Sequence, residues 1–155
     1  MHPDEAERAV MQVLEAFHDA TAQRQHHGPI TMDEVLVDRH GSLVVELFGM
    51  SRLVRGLTVG NSELVRDEVR SVVEMGYQLI TGLPAEEPFI PAGRLVKKLD
   101  PAWDDWFDRG LDPAEGFASA AEAIASLPSQ SVIIETKRAG GSVRTILDRL
   151  GIGKR

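Results

Sequence analysis

Residues Val35 to Arg52, VLVDRHGSLVVELFGMSR, constrain the fold more than any other stretch of this chain. Two runs rich in branched and apolar residues, Val35–Asp38 and Leu43–Leu47, flank Arg39–His40–Gly41, and Phe48–Gly49 closes the stretch. Branched side chains favour extended backbone, and a glycine takes the positive φ of a tight reversal without strain. The pattern predicts a small antiparallel hairpin.

Everything around it reads as helix. His2–Pro3–Asp4 looks like a helix entry with Asp4 as the cap, and Val10, Val13, Leu14, Phe17 and Ala20 recur at helical spacing up to about Arg24. Gln25 to Pro29 breaks that helix, and Ile30–Glu34 is a loop leading into the hairpin. Ser51–Glu63, with Gly56 and Gly60, shows little helical pattern and reads as a mixed connection. A second helix starts near Ser62 or Asp67 and runs to Thr81. It is apolar around most of its circumference, the mark of a central core helix, and Gly82 and Pro84 stop it. After an irregular, proline-rich Pro84–Pro91, Pro101–Trp106 opens another helix that places Trp103 and Trp106 on one face, toward the core. Ser119 with Glu122 three residues on is a capping-box pattern for Ala120–Leu127. Beyond lie a strand-like Ser131–Glu135, a hinge at Ala139–Gly141, and a last helix with Val143, Ile146, Leu147 and Leu150 on one side. The expected fold is mainly α with a small β-hairpin: a helical body over 1–128 and a basic extension over 129–155.

Charge divides the chain in the same way. The whole carries −7, yet from Thr136 onward Lys137, Arg138, Arg144, Arg149, Lys154 and Arg155 stand against Asp148 alone, a balance of +5 that leaves −12 on the rest. An acidic body with a basic tail is not the footprint of a general nucleic-acid binder. With no cysteine there is no disulfide framework, thiolate metal site or thiol nucleophile. No run of about 18 apolar residues is present to span a membrane, and the acidic MHPDEAERAV start lacks the order of a signal peptide. A cytoplasmic location is the expectation.

Three separated pieces resemble protein kinases, in the family's order. The hairpin stretch is similar to the segment running from the catalytic loop into the Asp-Phe-Gly metal motif; Glu68–Gly82, EVRSVVEMGYQLITG, resembles the kinase helix written D-V-x-S-x-G-x-x-x-Y-E-L-x-T-G; and Gly110–Glu122, GLDPAEGFASAAE, resembles the D-P-x-x-R-F-x-S-A-x-E segment of bacterial-type kinases. The resemblance covers about residues 6–127 and implies a kinase-like C-terminal lobe. Only a few residues precede the first helix, so the nucleotide-covering N-terminal lobe is expected to be missing, with its glycine-rich loop and phosphate-holding lysine.

The departures fall on the chemistry. His27 matches the family's catalytic-loop histidine, which is structural and holds that loop against the residue here numbered Phe48, followed by Gly49. Pro29 stands where the proton-accepting aspartate belongs, Glu34 where the metal-binding asparagine belongs, and Leu47 where the second metal-binding aspartate belongs. Proline takes no proton and leucine binds no magnesium. Glu68 replaces the aspartate that begins the central helix and can still accept backbone hydrogen bonds. Gly116 replaces the arginine whose glutamate partner, in the Ala-Pro-Glu motif, is also missing; losing both charges together avoids a lone buried ion. No kinase activity and no cofactor are expected.

Other chemistries find little support. His18, His26, His27 and His40 with Asp33 and Asp38 have no recognised metal spacing and read as solvated loop histidines plus one structural His27. No G-x-S-x-G elbow exists for hydrolysis, and Gly140–Gly141 and Gly56/Gly60 read as hinges rather than phosphate cradles. The expected function is a non-catalytic interaction or regulatory module whose partner is a protein, a second copy of the chain included. A lone lobe exposes apolar surface that monomers rarely tolerate. Ser131–Glu135 with Val143–Leu150, or a second copy, is expected to cover it, which makes Val143, Arg144, Ile146, Leu147, Arg149 and Leu150 partner-binding candidates. The alternative is nucleic-acid or anionic-surface binding through the basic tail, recognisable by a steep salt dependence.

Overall fold

A computed structural model describes residues 1–46, 48–57 and 62–129. Leu47 and the extension beyond Ser129, with Ser131–Glu135 and Val143, Arg144, Ile146, Leu147, Arg149 and Leu150, lie outside the described residues. Among the described residues the architecture is mainly helical with one two-stranded antiparallel sheet, an α+β arrangement. Among the described residues no helix is long and apolar enough to cross a membrane.

Helix α1 (Pro3–Ala22) buries Ala6, Val10, Val13, Leu14, Phe17 and Ala20, the face its spacing predicts. Its cap is His2 and not Asp4. His2 Nδ1 accepts from the Asp4 N–H at 3.4 Å while the Glu5 carboxylate takes the His2 N–H at 3.3 Å. With Pro3 as the first helical residue, Asp4 falls inside the first turn, where its charge opposes the helix dipole.

The chain then passes through a buried His26–Gly28 and a short 3₁₀ turn at Met32–Glu34 into β1 (Val35–Val37) and β2 (Leu43–Val45). Their register pairs Val35 with Val45, Leu36 with Val44 and Val37 with Leu43. Asp38 Oδ1 accepts the N–H groups of His40 and Ser42 at 2.7 and 2.9 Å, and Gly41 sits at φ +82°, so the turn forms as expected with slightly shorter strands. Val35, Leu43 and Val45 pack on the core, whereas the Leu36–Val44 pair faces outward.

Two short helices, Met50–Arg55 and Ala92–Leu95, depart from expectation. Met50–Arg55, read above as part of an irregular connection, is a short helix α2, bounded by Gly49 and Gly56 at positive φ. Its Met50, Leu53 and Val54 are exposed, so no buried stripe announces it in the sequence.

Helix α3 (Ser62–Thr81) is the central element. It packs against α1, against α4 (Ala92–Leu95) and against α5 (Ala102–Leu111), and buries Val69, Val72, Val73, Met75, Tyr77 and Ile80 along with the polar Glu68 and Ser71. Gly82 ends it at φ +76°. The Tyr77 hydroxyl donates to the Ile90 carbonyl at 2.6 Å, fastening the irregular 84–91 segment, and burial raises its pKa above the ordinary phenol value. Trp103 and Trp106 are both core, each 2% exposed. The Trp106 Nε1–H donates to the Ala123 carbonyl at 3.0 Å, tying α5 to α6 (Ala120–Ala125). Only half of the expected capping box forms there. Ser119 Oγ accepts from the Glu122 N–H, but the Glu122 carboxylate reaches the Ala118 N–H at 2.8 Å rather than that of Ser119.

Helices α3 and α5 approach closely because position 110 has no side chain. A Cβ on Gly110 would lie 2.7 and 2.8 Å from the two Val73 methyls and 3.0 Å from the Phe117 ring. Val73 is stiff about χ1 and cannot step aside. Gly110→Ala should therefore lower stability by about 2 kcal/mol through overpacking, outweighing the roughly 1 kcal/mol that alanine gains in helix propensity. A thermal melt that rises on this substitution would contradict the packing.

Candidate functional site

The sequence singles out residues of one loop, one hairpin end and the central helix, and the structure ties these together through Glu68. This carboxylate is 2% exposed on a face of α3 whose only other polar buried residue is Ser71, so it requires partners. Its Oε1 accepts the Gly28 N–H at 2.8 Å, and its Oε2 lies 3.0 Å from His26 Nδ1. An ionised carboxylate only accepts, so His26 Nδ1 carries the hydrogen. One turn later on α3, Ser71 Oγ accepts the Ile30 N–H at 2.9 Å and donates to the Glu68 carbonyl at 2.7 Å. The central helix thus holds three alternate residues of the loop: His26, Gly28 and Ile30.

His27 is wedged on the other side. Its ring is 1% exposed, stacks on Phe17 with centroids 6.2 Å apart, and meets the Phe48 ring edge-on at 5.2 Å. Its Nδ1 donates to the Gly28 carbonyl at 3.1 Å. With the hydrogen there, Nε2 of the neutral ring is an acceptor, and among the described residues it is buried without a hydrogen-bond partner. Helix α2 closes the knot: the Arg52 N–H donates to the His27 carbonyl at 2.8 Å and Arg52 Nε to the His26 carbonyl at 3.3 Å. Gly49, at φ +83°, turns the chain from Phe48 into α2. A cleft of 300 Å³ opens here, lined by Arg24, Gln25, His26, Phe48, Gly49, Arg52 and Leu53.

The remaining singled-out positions serve other purposes. Pro29 is half-buried, and its carbonyl accepts from Arg55 at 3.5 Å. Glu34 Oε2 accepts the N–H and hydroxyl of Thr31 at 2.8 and 3.1 Å and so caps the 3₁₀ turn. Gly116 lies apart in the α5–α6 loop, beside a 490 Å³ cleft walled by Arg66, Asp67, Arg70, Asp112 and Phe117. A Cβ at 116 would stand 2.8 Å from the Asp112 carbonyl oxygen, so the backbone itself leaves no room for an arginine. The N–H groups of Glu115 and Ala114 hold the Asp112 carboxyl below the ordinary aspartate value and keep that loop tight. The Ala118 N–H, aided by Arg109, likewise lowers Glu122, and the Arg109 guanidinium also lies 4.6 Å from the centre of the Phe117 ring.

The histidines need one correction. His18 and His40 are exposed as expected, but His26 is no solvated loop residue: it is 7% exposed and bound to Glu68. Arg52 was also missed. Neither contact has a periodic signature, because His26 and its carboxylate are 42 residues apart. The signal that could have found them is Glu68 itself, since it falls in phase with Leu64, Val69 and Val72 on the buried face of α3, where a carboxylate demands a buried donor. Among the described residues, no group of three or more His, Asp or Glu side chains is placed to hold a metal ion. In comparisons with known proteins, no family model matches the chain and no curated protein matches it.

Proposed function

We propose that this chain is a protein-kinase-like C-terminal lobe without phosphoryl-transfer chemistry, and that it works as a module binding another protein, a second copy of itself included. Two contacts support the kinase-like part. Glu68, in the second turn of the central helix rather than at its start, accepts the backbone N–H of Gly28, and His27 packs on Phe48, in keeping with the backbone-acceptor and loop-holding roles the resemblance assigns to those positions. Loss of the chemistry rests on Pro29, Glu34 and Leu47, because phosphoryl transfer depends on placed metal ligands and an oriented nucleophile.

The observation that carries the binding role is the apolar surface around α2. Phe48, Met50, Leu53 and Val54 are 40%, 47%, 62% and 79% exposed within a few residues of one another, next to the Arg52 and Arg55 side chains. Contiguous apolar side chains with arginine alongside are the usual anchors of a protein interface. Sedimentation equilibrium of the full chain tests this. Association that Leu53→Asp with Val54→Asp abolishes, without lowering the melting temperature, places the interface on α2. An ATP–magnesium-dependent rise in melting temperature together with phosphate transfer to a substrate overturns the non-catalytic reading.

A further inference from the structure

The hairpin presents a second apolar surface, distinct from that of α2. Leu36 and Val44 are directly paired across the two strands on the face turned from the core, and are 47% and 48% exposed. A two-stranded sheet is marginal in water unless something packs on it. Here α1 supports one face only. We propose that the outer face is the seat of the chain's own C-terminal segment, residues 130–155.

Charge points to that occupant. Exposed Asp33, Asp38 and Glu46 flank the strands, against Arg39 and His40 at the turn. Residues 130–155 carry Lys137, Arg138, Arg144, Arg149, Lys154 and Arg155 against Glu135 and Asp148, and space Val143, Ile146, Leu147 and Leu150 three and four residues apart. An apolar stripe with arginines beside it complements an apolar pair rimmed by carboxylates. It does not complement α2, where Arg52 and Arg55 would repel it.

The point of departure agrees. Ser129, the last described residue, is fastened to Glu7 of α1: its N–H donates to Glu7 Oε1 at 3.1 Å, and its hydroxyl bonds the same oxygen. Farther along the same helix, Gln12 Oε1 accepts the Leu43 N–H of β2 at 2.9 Å. At about 1.5 Å of rise and about 100° per residue, the exit and the hairpin contact lie roughly 8 Å apart along the α1 axis and about 140° apart around it, a path the segment covers by wrapping round the helix. The stretch from Ser129 to Val143 can span up to about 46 Å when extended, so reach is no obstacle. A tethered segment this close acts at an effective concentration on the order of millimolar, well above what a second copy offers in dilute solution.

The chain contains no cysteine, so paired cysteines report proximity cleanly in the full-length protein. Val44→Cys with Ile146→Cys should form a disulfide within one chain under dilute oxidation, whereas Val54→Cys on α2 with Ile146→Cys should not. As a second readout, Arg144→Glu with Arg149→Glu should speed hydrogen exchange of the hairpin amides by about fivefold, given what two surface ion pairs contribute. A disulfide at both positions or at neither, one that joins two chains, or hairpin exchange indifferent to the charge reversal overturns the proposal. Failure here leaves the binding role of α2 standing, because the solution-mass experiment reads a different face.

Discussion

Phe107→Ala should cost this protein about 4 kcal/mol, the range for deleting a fully buried aromatic ring. Phe107 is 1% exposed, and its ring touches three others: Tyr77 at 5.4 Å and Trp106 at 5.5 Å edge-on, and Trp103 stacked at 5.4 Å. It is the point at which α5 meets α3. Neighbours cannot collapse into the space, because Trp106 is pinned by its bond to Ala123 and Tyr77 by its bond to Ile90. At about 2–4 °C per kcal/mol for a chain of this size, the melting temperature should drop by roughly 8–16 °C. Urea unfolding should show the midpoint falling with an unchanged slope, and Phe107→Leu, which fills most of the volume, should lose less than half as much. A loss below about 1 kcal/mol for the alanine variant would mean that the four rings do not form one packed unit.

Glu68→Ala should be nearly as severe, at about 3 kcal/mol, through a different cause. Removing the carboxylate strands the Gly28 N–H and the His26 Nδ1–H in a buried site, and each orphaned donor costs about 1–3 kcal/mol. Glu68→Gln separates the two bonds. The amide oxygen can still receive one donor but cannot serve both, so the loss should fall to about half that of alanine. Because His26 and Glu68 touch, His26→Ala and Glu68→Ala should be non-additive, with a coupling of about 1 kcal/mol or more in a double-mutant cycle. Additive losses would show that the two side chains do not hold one another, and that the loop is kept in place by its other anchors, the Ser71, Arg52 and His27 contacts.

The parts of this molecule that can be read from sequence are those where burial imposes a period. Helix α1 and helix α3 are legible because Val10, Val13, Leu14 and Phe17, and Val69, Val72, Val73 and Tyr77, repeat at the spacing of a helix face. The hairpin is legible because its turn needs Gly41. Helix α2 is not: Met50, Leu53 and Val54 face outward, so no core fixes their phase. Caps are legible only as chemistry nearby. Asp4 is a better capping residue than His2 on average, yet Pro3 sets the first helical position and leaves His2 to do it. Glu122 has the spacing of a box, but Ala118 and Arg109 claim its oxygens. The candidate site is the least periodic region of all. Resemblance points to the positions of His27, Phe48 and Glu68, whereas the burial of His26 and the closure by Arg52 are tertiary events that no local pattern encodes.

The bond from Ser129 to Glu7 joins positions 122 apart in the chain. It brings Ser129 back beside the first turns of α1, so Pro3 and Ser129 share a doorway. Units with adjoining boundaries are readily spliced into a host protein's surface loop or rewired end to end. A chain opened at the exposed Arg39–His40 reversal and rejoined across this doorway should keep the contacts of α1 with α3.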